Sequence, residues 1–240
     1  MPEIKNLKKA YGNYHALNGL DMSIPEGSLF GLVGPNGAGK TTTIKMLSCL
    51  IKPSKGDAEV LGHSIRDDAD KIKAKIGLSP QETAIAPNLT VRENLEFVCG
   101  IYGFDRKSAK EKTERMLREL SLSEIAEQRA KTLSGGWQRR LSIAMALISE
   151  PELLFLDEPT LGLDVLARRE LWSVIRKLKG KMTVILTTHY LEEAEALSDR
   201  LGIMAKGRLV ACGTASELKA LAGCDSFEDA FVKLCGGETV

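Results

Sequence analysis

Residues 34–41, Gly-Pro-Asn-Gly-Ala-Gly-Lys-Thr, constrain this chain more than any other stretch. They satisfy G-x-x-x-x-G-K-[ST] at every fixed position. Gly34, Gly37 and Gly39 permit backbone angles and close approaches that a Cβ would block. The loop through Pro35, Asn36 and Ala38 can therefore turn successive N–H groups into one concavity that holds a phosphate. Lys40 adds positive charge at its β/γ end, and Thr41 offers a hydroxyl to Mg2+. The apolar run Leu29–Val33 before the loop reads as a buried strand. Residues 41–47 after it read as a helix, whose N-terminus favours an anion. A glycine-rich surface turn explains neither the apolar flanks nor the Lys-Thr pair.

Composition narrows the class. Lys and Arg number 33 and Asp and Glu 32, so no basic stripe argues for nucleic acid and no polybasic segment for a lipid surface. No apolar run approaches the ~18 residues needed to span a bilayer. The start, Met-Pro-Glu-Ile-Lys-Asn, lacks the apolar stretch of a secretory leader. The expectation is a soluble, cytosolic chain. Cys49, Cys99, Cys212, Cys224 and Cys235 are scattered without a C-x-x-C pair and read as free thiols in a reducing compartment.

Taken in order, Ile4–Lys9, Leu20–Ile24 and Leu29–Val33 read as strands, broken at Tyr11-Gly12-Asn13 and Pro25-Glu26-Gly27. Tyr11 on its turn either stacks on a base or packs on the sheet edge. Ala58–Leu61 and Ile76–Leu78 are short strands, the second running into Ser79-Pro80-Gln81-Glu82. Helical periodicity then takes over. Thr90-Val91-Arg92-Glu93 is a capping box, followed by apolar residues at Val91, Leu95, Val98 and Tyr102. Asp105–Leu120 is a second helix, with Glu111–Arg115 and Glu114–Arg118 spaced as i,i+4 pairs on a solvated face. Leu141–Ile148 is a third. Residues 88–150 thus form a helical insert between α/β segments.

The α/β pattern resumes at Leu153-Leu154-Phe155-Leu156, an apolar strand ending in Asp157-Glu158-Pro159. An amphipathic helix through Ala167, Leu171, Val174, Ile175 and Leu178 follows. Thr183–Leu186 is another buried strand, ending in Thr187-Thr188-His189. Two short helices, Thr214–Ala222 and Ser226–Leu234, open on capping boxes at Thr214/Glu217 and Ser226/Asp229. Alternating helices and apolar strands imply a mostly parallel sheet covered on both faces. Ligands of such sheets sit at the strands' carboxyl ends, where residues 34–41, Asp157-Glu158 and His189 can converge. There Asp157 can hold Mg2+, and Glu158 can polarise a water attacking a γ-phosphate.

Residues 132–140, Thr-Leu-Ser-Gly-Gly-Trp-Gln-Arg-Arg, identify a family. Ser134-Gly135-Gly136 before a helix is a second candidate anion site, and Leu133–Gly136 closely resembles the signature motif of ABC ATPases. With it the chain from about Ile4 to Leu234 resembles an ABC transporter ATP-binding subunit. That resemblance implies a P-loop NTPase fold of the ABC ATPase type, with an N-terminal antiparallel β-subdomain and a helical subdomain. It divides the chain into a core (1–87 and 151–213), the helical subdomain (88–150) and a C-terminal helical extension (214–240).

The resemblance implies ATP and Mg2+ as cofactors and gives the site residues their roles. Tyr11 matches the aromatic that stacks on adenine. Residues 34–41 with Thr42 match Walker A. Gln81 matches the glutamine that contacts Mg2+ and links the site to a membrane partner. Asp157 and Glu158 match Walker B and its catalytic glutamate, Asp164 the D-loop aspartate, and His189 the switch histidine at the γ-phosphate. Trp137 and Arg139 stand where the family commonly has Gln, and Leu161-Gly162 precede Leu163-Asp164 where Ser-Ala or Ser-Gly is common.

Thr187–Glu195 and Ser226–Phe231 resemble the antibiotic- and multidrug-export branch of prokaryotes. The implied function is an ATP-hydrolysing motor subunit on the inner face of the cell membrane. It pairs head to tail with a second ATP-binding subunit, identical or different, and drives separate permease chains. The competing class is a soluble ABC ATPase of DNA repair or translation. Residues 42–132 lack the heptads or C-x-x-C modules of the repair members, and one cassette is half of what translation factors usually carry.

Overall fold

The computed structural model describes residues 2–236. Met1 and residues 237–240, the last four of the expected C-terminal extension, lie outside the described part.

A hairpin opens the chain, β1 (Glu3–Tyr11) with β2 (Tyr14–Ser23). β3 (Leu29–Val33) leads through the phosphate-loop sequence into α1 (Lys40–Leu47). Next come β4 (Lys55–Val60), β5 (His63–Ser64), α2 (Ala69–Lys73) and β6 (Ile76–Ser79). Three helices follow: α3 (Val91–Ile101), α4 (Arg106–Glu119) and α5 (Gly135–Leu147). The chain then returns through β7 (Leu153–Asp157), α6 (Val165–Arg176), β8 (Thr183–Thr188), α7 (Leu191–Leu197), β9 (Arg200–Ala205) and β10 (Arg208–Gly213). It closes on α8 (Ala215–Ala222) and α9 (Phe227–Leu234).

Two sheets result. An antiparallel sheet has the order β2-β1-β4-β5. A six-stranded sheet has the order β10-β9-β3-β8-β7-β6. All its neighbours are parallel except β10 on β9. The expected fold class, a mostly parallel sheet with an antiparallel β-subdomain and a helical segment, is the one observed.

Strand periodicity explains why the central strands are apolar throughout. Successive side chains point to opposite faces, and here each face meets a core. Leu153 and Phe155 of β7 pack with Leu7, Leu17 and Leu20 beneath the antiparallel sheet. Leu154 and Leu156 pack on the other side with Leu95, Leu117 and Leu141 of the helices. Every residue of β3, β7 and β8 is buried. Each fully buried large apolar side chain in these strands contributes about 1.5–3 kcal/mol.

Several elements differ from their expected bounds. β1 extends to Tyr11 and β2 begins at Tyr14, so Tyr11 is the last residue of a strand, paired with Tyr14, and not part of the turn. Tertiary contact lets polar residues such as His15 and Asn18 continue the ladder. α5 begins at Gly135, six residues before the apolar period does, because Gln138, Arg139 and Arg140 spend their polar groups inside the protein. The i,i+4 pairs expected in α4 are replaced by tertiary ones. Arg92 of α3 donates to Glu114 at 2.5 Å, and Arg115 pairs with Glu150 beyond α5. The boxes at Thr90/Glu93 and Thr214/Glu217 are complete. At Ser226 only half forms: its hydroxyl accepts from Asp229 N, but the shorter Asp side chain bonds the Ser226 hydroxyl at 2.6 Å instead of reaching back to the backbone.

Candidate functional site

Because β3, β8, β7 and β6 are parallel and adjacent, their carboxyl ends bring residues 34–41, 157–158, 189 and 81 to one edge of the sheet. A cavity of about 430 Å3 lies there. The stretch Asn36–Thr42 forms its floor, with Gln81, Glu158, His189, Tyr14, Ala16 and Leu161 around it.

The loop's glycines are needed for two different reasons. Gly39 caps α1 in the left-handed region at φ 102, where a Cβ would also stand 2.5 Å from Leu17 Cδ2. Gly34 lies against Met204, whose carbonyl oxygen would be 2.4 Å from a Cβ. Lys40 is 6% exposed and donates to the Gly34 carbonyl at 2.7 Å. Its ammonium is 3.7 Å from Glu158 Oε1. Burial pushes the Lys40 pKa down, while Glu158 and Asp157 oppose that shift. Pro35, Asn36 and Gly37 are exposed at the lip of the loop.

The acids are held from beneath. Asp157 Oδ1 accepts from Thr41 Oγ1 at 3.0 Å and from Thr187 Oγ1 at 2.5 Å. The same Thr187 hydroxyl accepts the Glu158 N–H at 3.0 Å. Glu158 is a buried non-glycine residue at φ 49, strain of the kind that persists at functional sites only when its surroundings impose it. His189 Nδ1 stands 2.8 Å from Glu158 Oε2. Thr41, Asp157 and the amide oxygen of Gln81 are hard oxygen ligands, and Mg2+ usually takes one or two carboxylates together with substrate phosphates and water. The set fits that ion. Among the described residues no three His, Cys, Asp or Glu side chains form a site able to hold a metal without phosphate.

Other expected residues lie apart from this cavity. Tyr11 is half exposed across the turn, with the Lys9 ammonium 5.0 Å from its ring centre. Tyr14 lines the cavity instead, its hydroxyl donating to Gly37 O at 3.3 Å. Ser134 and Gly135 are exposed at the start of α5, and Gly136 is half buried. Asp164 is exposed and caps α6 by accepting from Ala167 N at 2.9 Å. Trp137 packs on the helical core with the Arg140 guanidinium 4.7 Å over its ring.

Thr187 and Glu193 had no role assigned from sequence. A hydroxyl in a fully buried strand needs a partner, and that requirement was the available signal for Thr187. Glu193 is wholly buried on α7 and accepts from Trp172 Nε1 at 3.0 Å. Burial pushes its carboxyl pKa up, against the Trp172 hydrogen bond, and its other oxygen, Oε2, has no hydrogen-bond partner among the described residues.

Comparison with known proteins agrees with this geometry. The ABC transporter family profile matches residues 17–161. The linearmycin resistance ATP-binding protein LnrL of Bacillus subtilis (strain 168) is 43% identical over 94% of this chain and 73% of its own length. The daunorubicin/doxorubicin resistance ATP-binding protein DrrA of Streptomyces peucetius is 40% identical over 92% of this chain and 67% of its own. Among solved structures, an ATP-binding subunit of an ABC transporter superposes with a TM-score of 0.86 at 29% identity, covering 98% of this chain and 99% of that one. A dimeric post-hydrolysis cassette, MJ0796 bound to ADP and Pi, gives a TM-score of 0.81 at 28% identity over 89% and 98%. The chain belongs to the ABC transporter family, as an ATP-binding subunit with ATPase chemistry. No described helix is long and apolar enough to cross a membrane.

Proposed function

We propose that the chain is the ATPase motor of a drug-type exporter and hydrolyses ATP with Glu158 as general base. The observation that carries this reading is the position of Glu158: buried, strained, 2.8 Å from His189 Nδ1 and 3.7 Å from Lys40 Nζ. A water beside Glu158 attacks the γ-phosphorus. The new O–P bond forms as the bond to the β-phosphate oxygen breaks, and the water's proton passes to the Glu158 carboxylate. Lys40 releases its loop carbonyls for the β- and γ-phosphate oxygens, and His189 orients Glu158 and meets the γ-phosphate. Thr41, Gln81 and Asp157 would hold Mg2+, which neutralises phosphate charge. Tyr11, outside the cavity and across the hairpin turn from Tyr14, stacks on the adenine where the nucleotide reaches beyond the loop.

The Ser134–Gly136 start of α5 and Asp164 serve the site of a second subunit packed head to tail, identical or different. The dimeric form of the MJ0796 neighbour supports that arrangement. Separate permease chains dock on residues 81–103. There an apolar groove of about 300 Å3 is lined by Leu50, Pro80, Ala84, Val98, Tyr102 and Met145, and the same helix, α3, also exposes Phe97 and Ile101. On this reading the subunit sits on the inner face of the cell membrane, its core at residues 1–87 and 151–213, its helical subdomain at 88–150 and its extension at 214–240.

The test is steady-state ATP turnover of Glu158→Gln. Loss of a general base costs about 10²–10⁴-fold in rate, and the variant should retain ATP. Equal turnover of variant and parent would refute the assignment.

A further inference from the structure

Arg139 is, with Trp137, one of two residues that stand where the signature commonly has Gln. It lies one helical turn beyond Gly135, the first residue of α5, and is 5% exposed. Arginine is almost never so buried unless paired, yet Arg139 has no carboxylate partner among the described ion pairs. Its fork is spent on backbone carbonyls. Nη1 donates to Pro80 O at 2.6 Å and Nη2 to Gln81 O at 2.6 Å. Two parallel bonds from a planar guanidinium fix orientation as well as distance.

The next turn of α5 repeats the attachment. Ser142 Oγ meets Ser79 Oγ at 2.8 Å, at the end of β6. The end of β6 and the loop that follows it are therefore tied to α5 at two heights. The Gln81 side chain, by contrast, is exposed and lines the cavity. Its backbone is joined to α5, and its side chain faces the nucleotide cavity, so a pull on the side chain acts on the Arg139 bonds.

We propose that Arg139 is a positioning residue that joins the Gln81 loop to the start of α5, so that engagement of Gln81 at the nucleotide is transmitted to Ser134–Gly136. The inference rests on the reading of Gln81 as a nucleotide-site residue. Movement of the Gln81 backbone toward the phosphates carries the guanidinium with it, and so the first turn of α5, which presents the second anion site. A lysine reaches one carbonyl and not two, and a glutamine amide can replace one of the two bonds.

The test compares Arg139→Met and Arg139→Gln in the full chain. Three quantities are measured: amide exchange of residues 138–142 of α5 with and without ATP, equilibrium ATP affinity and ATP turnover. In the parent ATP should slow that exchange at least about threefold; in Arg139→Met the ATP effect should vanish and turnover should fall at least about tenfold, with ATP affinity changed by less than about threefold. Arg139→Gln should lie between parent and Arg139→Met in both exchange and turnover, and it carries the test if Arg139→Met fails to fold. An ATP effect on α5 exchange that survives in Arg139→Met would overturn the proposal. So would parental turnover, or a loss of affinity as large as the loss of turnover. Amide exchange is read without hydrolysis, so a failed Glu158→Gln experiment would strike the ATPase reading while leaving the exchange result to decide this one.

Discussion

Two helices of this chain start on glycine-flanked turns, and they are built in opposite ways. The start of α1 is finished. Its N-cap Gly39 is packed against Leu17, Lys40 is buried beside Glu158, and Thr41 is bonded to Asp157. The start of α5 is bare. Ser134 is exposed and makes no side-chain capping bond, although Thr90, Asp105, Asp164, Thr214 and Ser226 all cap their helices with side chains. A serine N-cap ordinarily satisfies one of the free N–H groups of the first turn. Leaving them free at Ser134-Gly135-Gly136 suits an anion supplied from outside the chain. On the proposed reading, the first terminus is the half-site this chain builds from its own residues, and the second is the half it offers to a neighbouring subunit.

Substitutions at the two starts should therefore diverge. Gly39→Val is expected to have the largest effect on stability, about 2–5 kcal/mol, from left-handed strain plus the clash with Leu17 and the Ala16 carbonyl. Thermal unfolding with and without ATP reads both the loss of stability and the loss of binding. Gly135→Ala has only Leu163 Cδ2 at 3.7 Å from the new Cβ and should unfold within about 0.5 kcal/mol of the parent, with turnover reduced. Equal destabilisation at the two glycines would break the comparison.

Thr187→Val tests how far the finished site depends on its support. It deprives Asp157 of a donor and the Glu158 N–H of an acceptor, and should cost about 1–3 kcal/mol by denaturant unfolding. Glu193→Gln should have a smaller and pH-dependent effect. Burial raises the folded-state pKa of Glu193 above its unfolded value, so the native state binds this proton more tightly. The stability it lends is full at acid pH and is lost as pH rises through the folded pKa. The glutamine variant should therefore gain on the parent as pH rises from the acid range through the folded-state pKa, as read by thermal unfolding across pH. A gap in unfolding temperature that does not change with pH would refute this. Ser134→Ala should be the mildest for stability, within about 0.5 kcal/mol, because no capping bond is lost. A full capping penalty of about 1 kcal/mol would show that Ser134 serves its own helix.

The finished half was legible in the sequence. A fixed-spacing glycine loop between an apolar strand and a helix has few physical alternatives, and Asp157-Glu158 follows four apolar residues that leave no doubt about a buried strand. Less legible was whatever depends on polar groups bonding over long distances. Arg139 and Arg140 follow the signature as charges, and periodicity places charges in water, so α5 was expected to begin at Leu141. Their bonds to Pro80, Gln81 and Glu170 make them interior residues. β2 was shortened for the same reason. α2 and α7 are too short to show a period, and β10 is an edge strand fixed by its pairing with β9. Tyr14 was not singled out because the hairpin register, which sets it opposite Tyr11, is a tertiary fact.

The central claim is that the bare start of α5 completes the site of another subunit, and mixing two inactive variants tests it directly. Gly135→Asp and Lys40→Ala chains should each lack turnover alone. In a head-to-tail pair of one with the other, the intact loop of the Gly135→Asp chain faces the intact Ser134–Gly136 of the Lys40→Ala chain, so one site per mixed pair is whole. An equal mixture should recover up to about a quarter of parental turnover, since half of the pairs are mixed and each has one of two sites intact. A mixture as inactive as its two components would contradict the account.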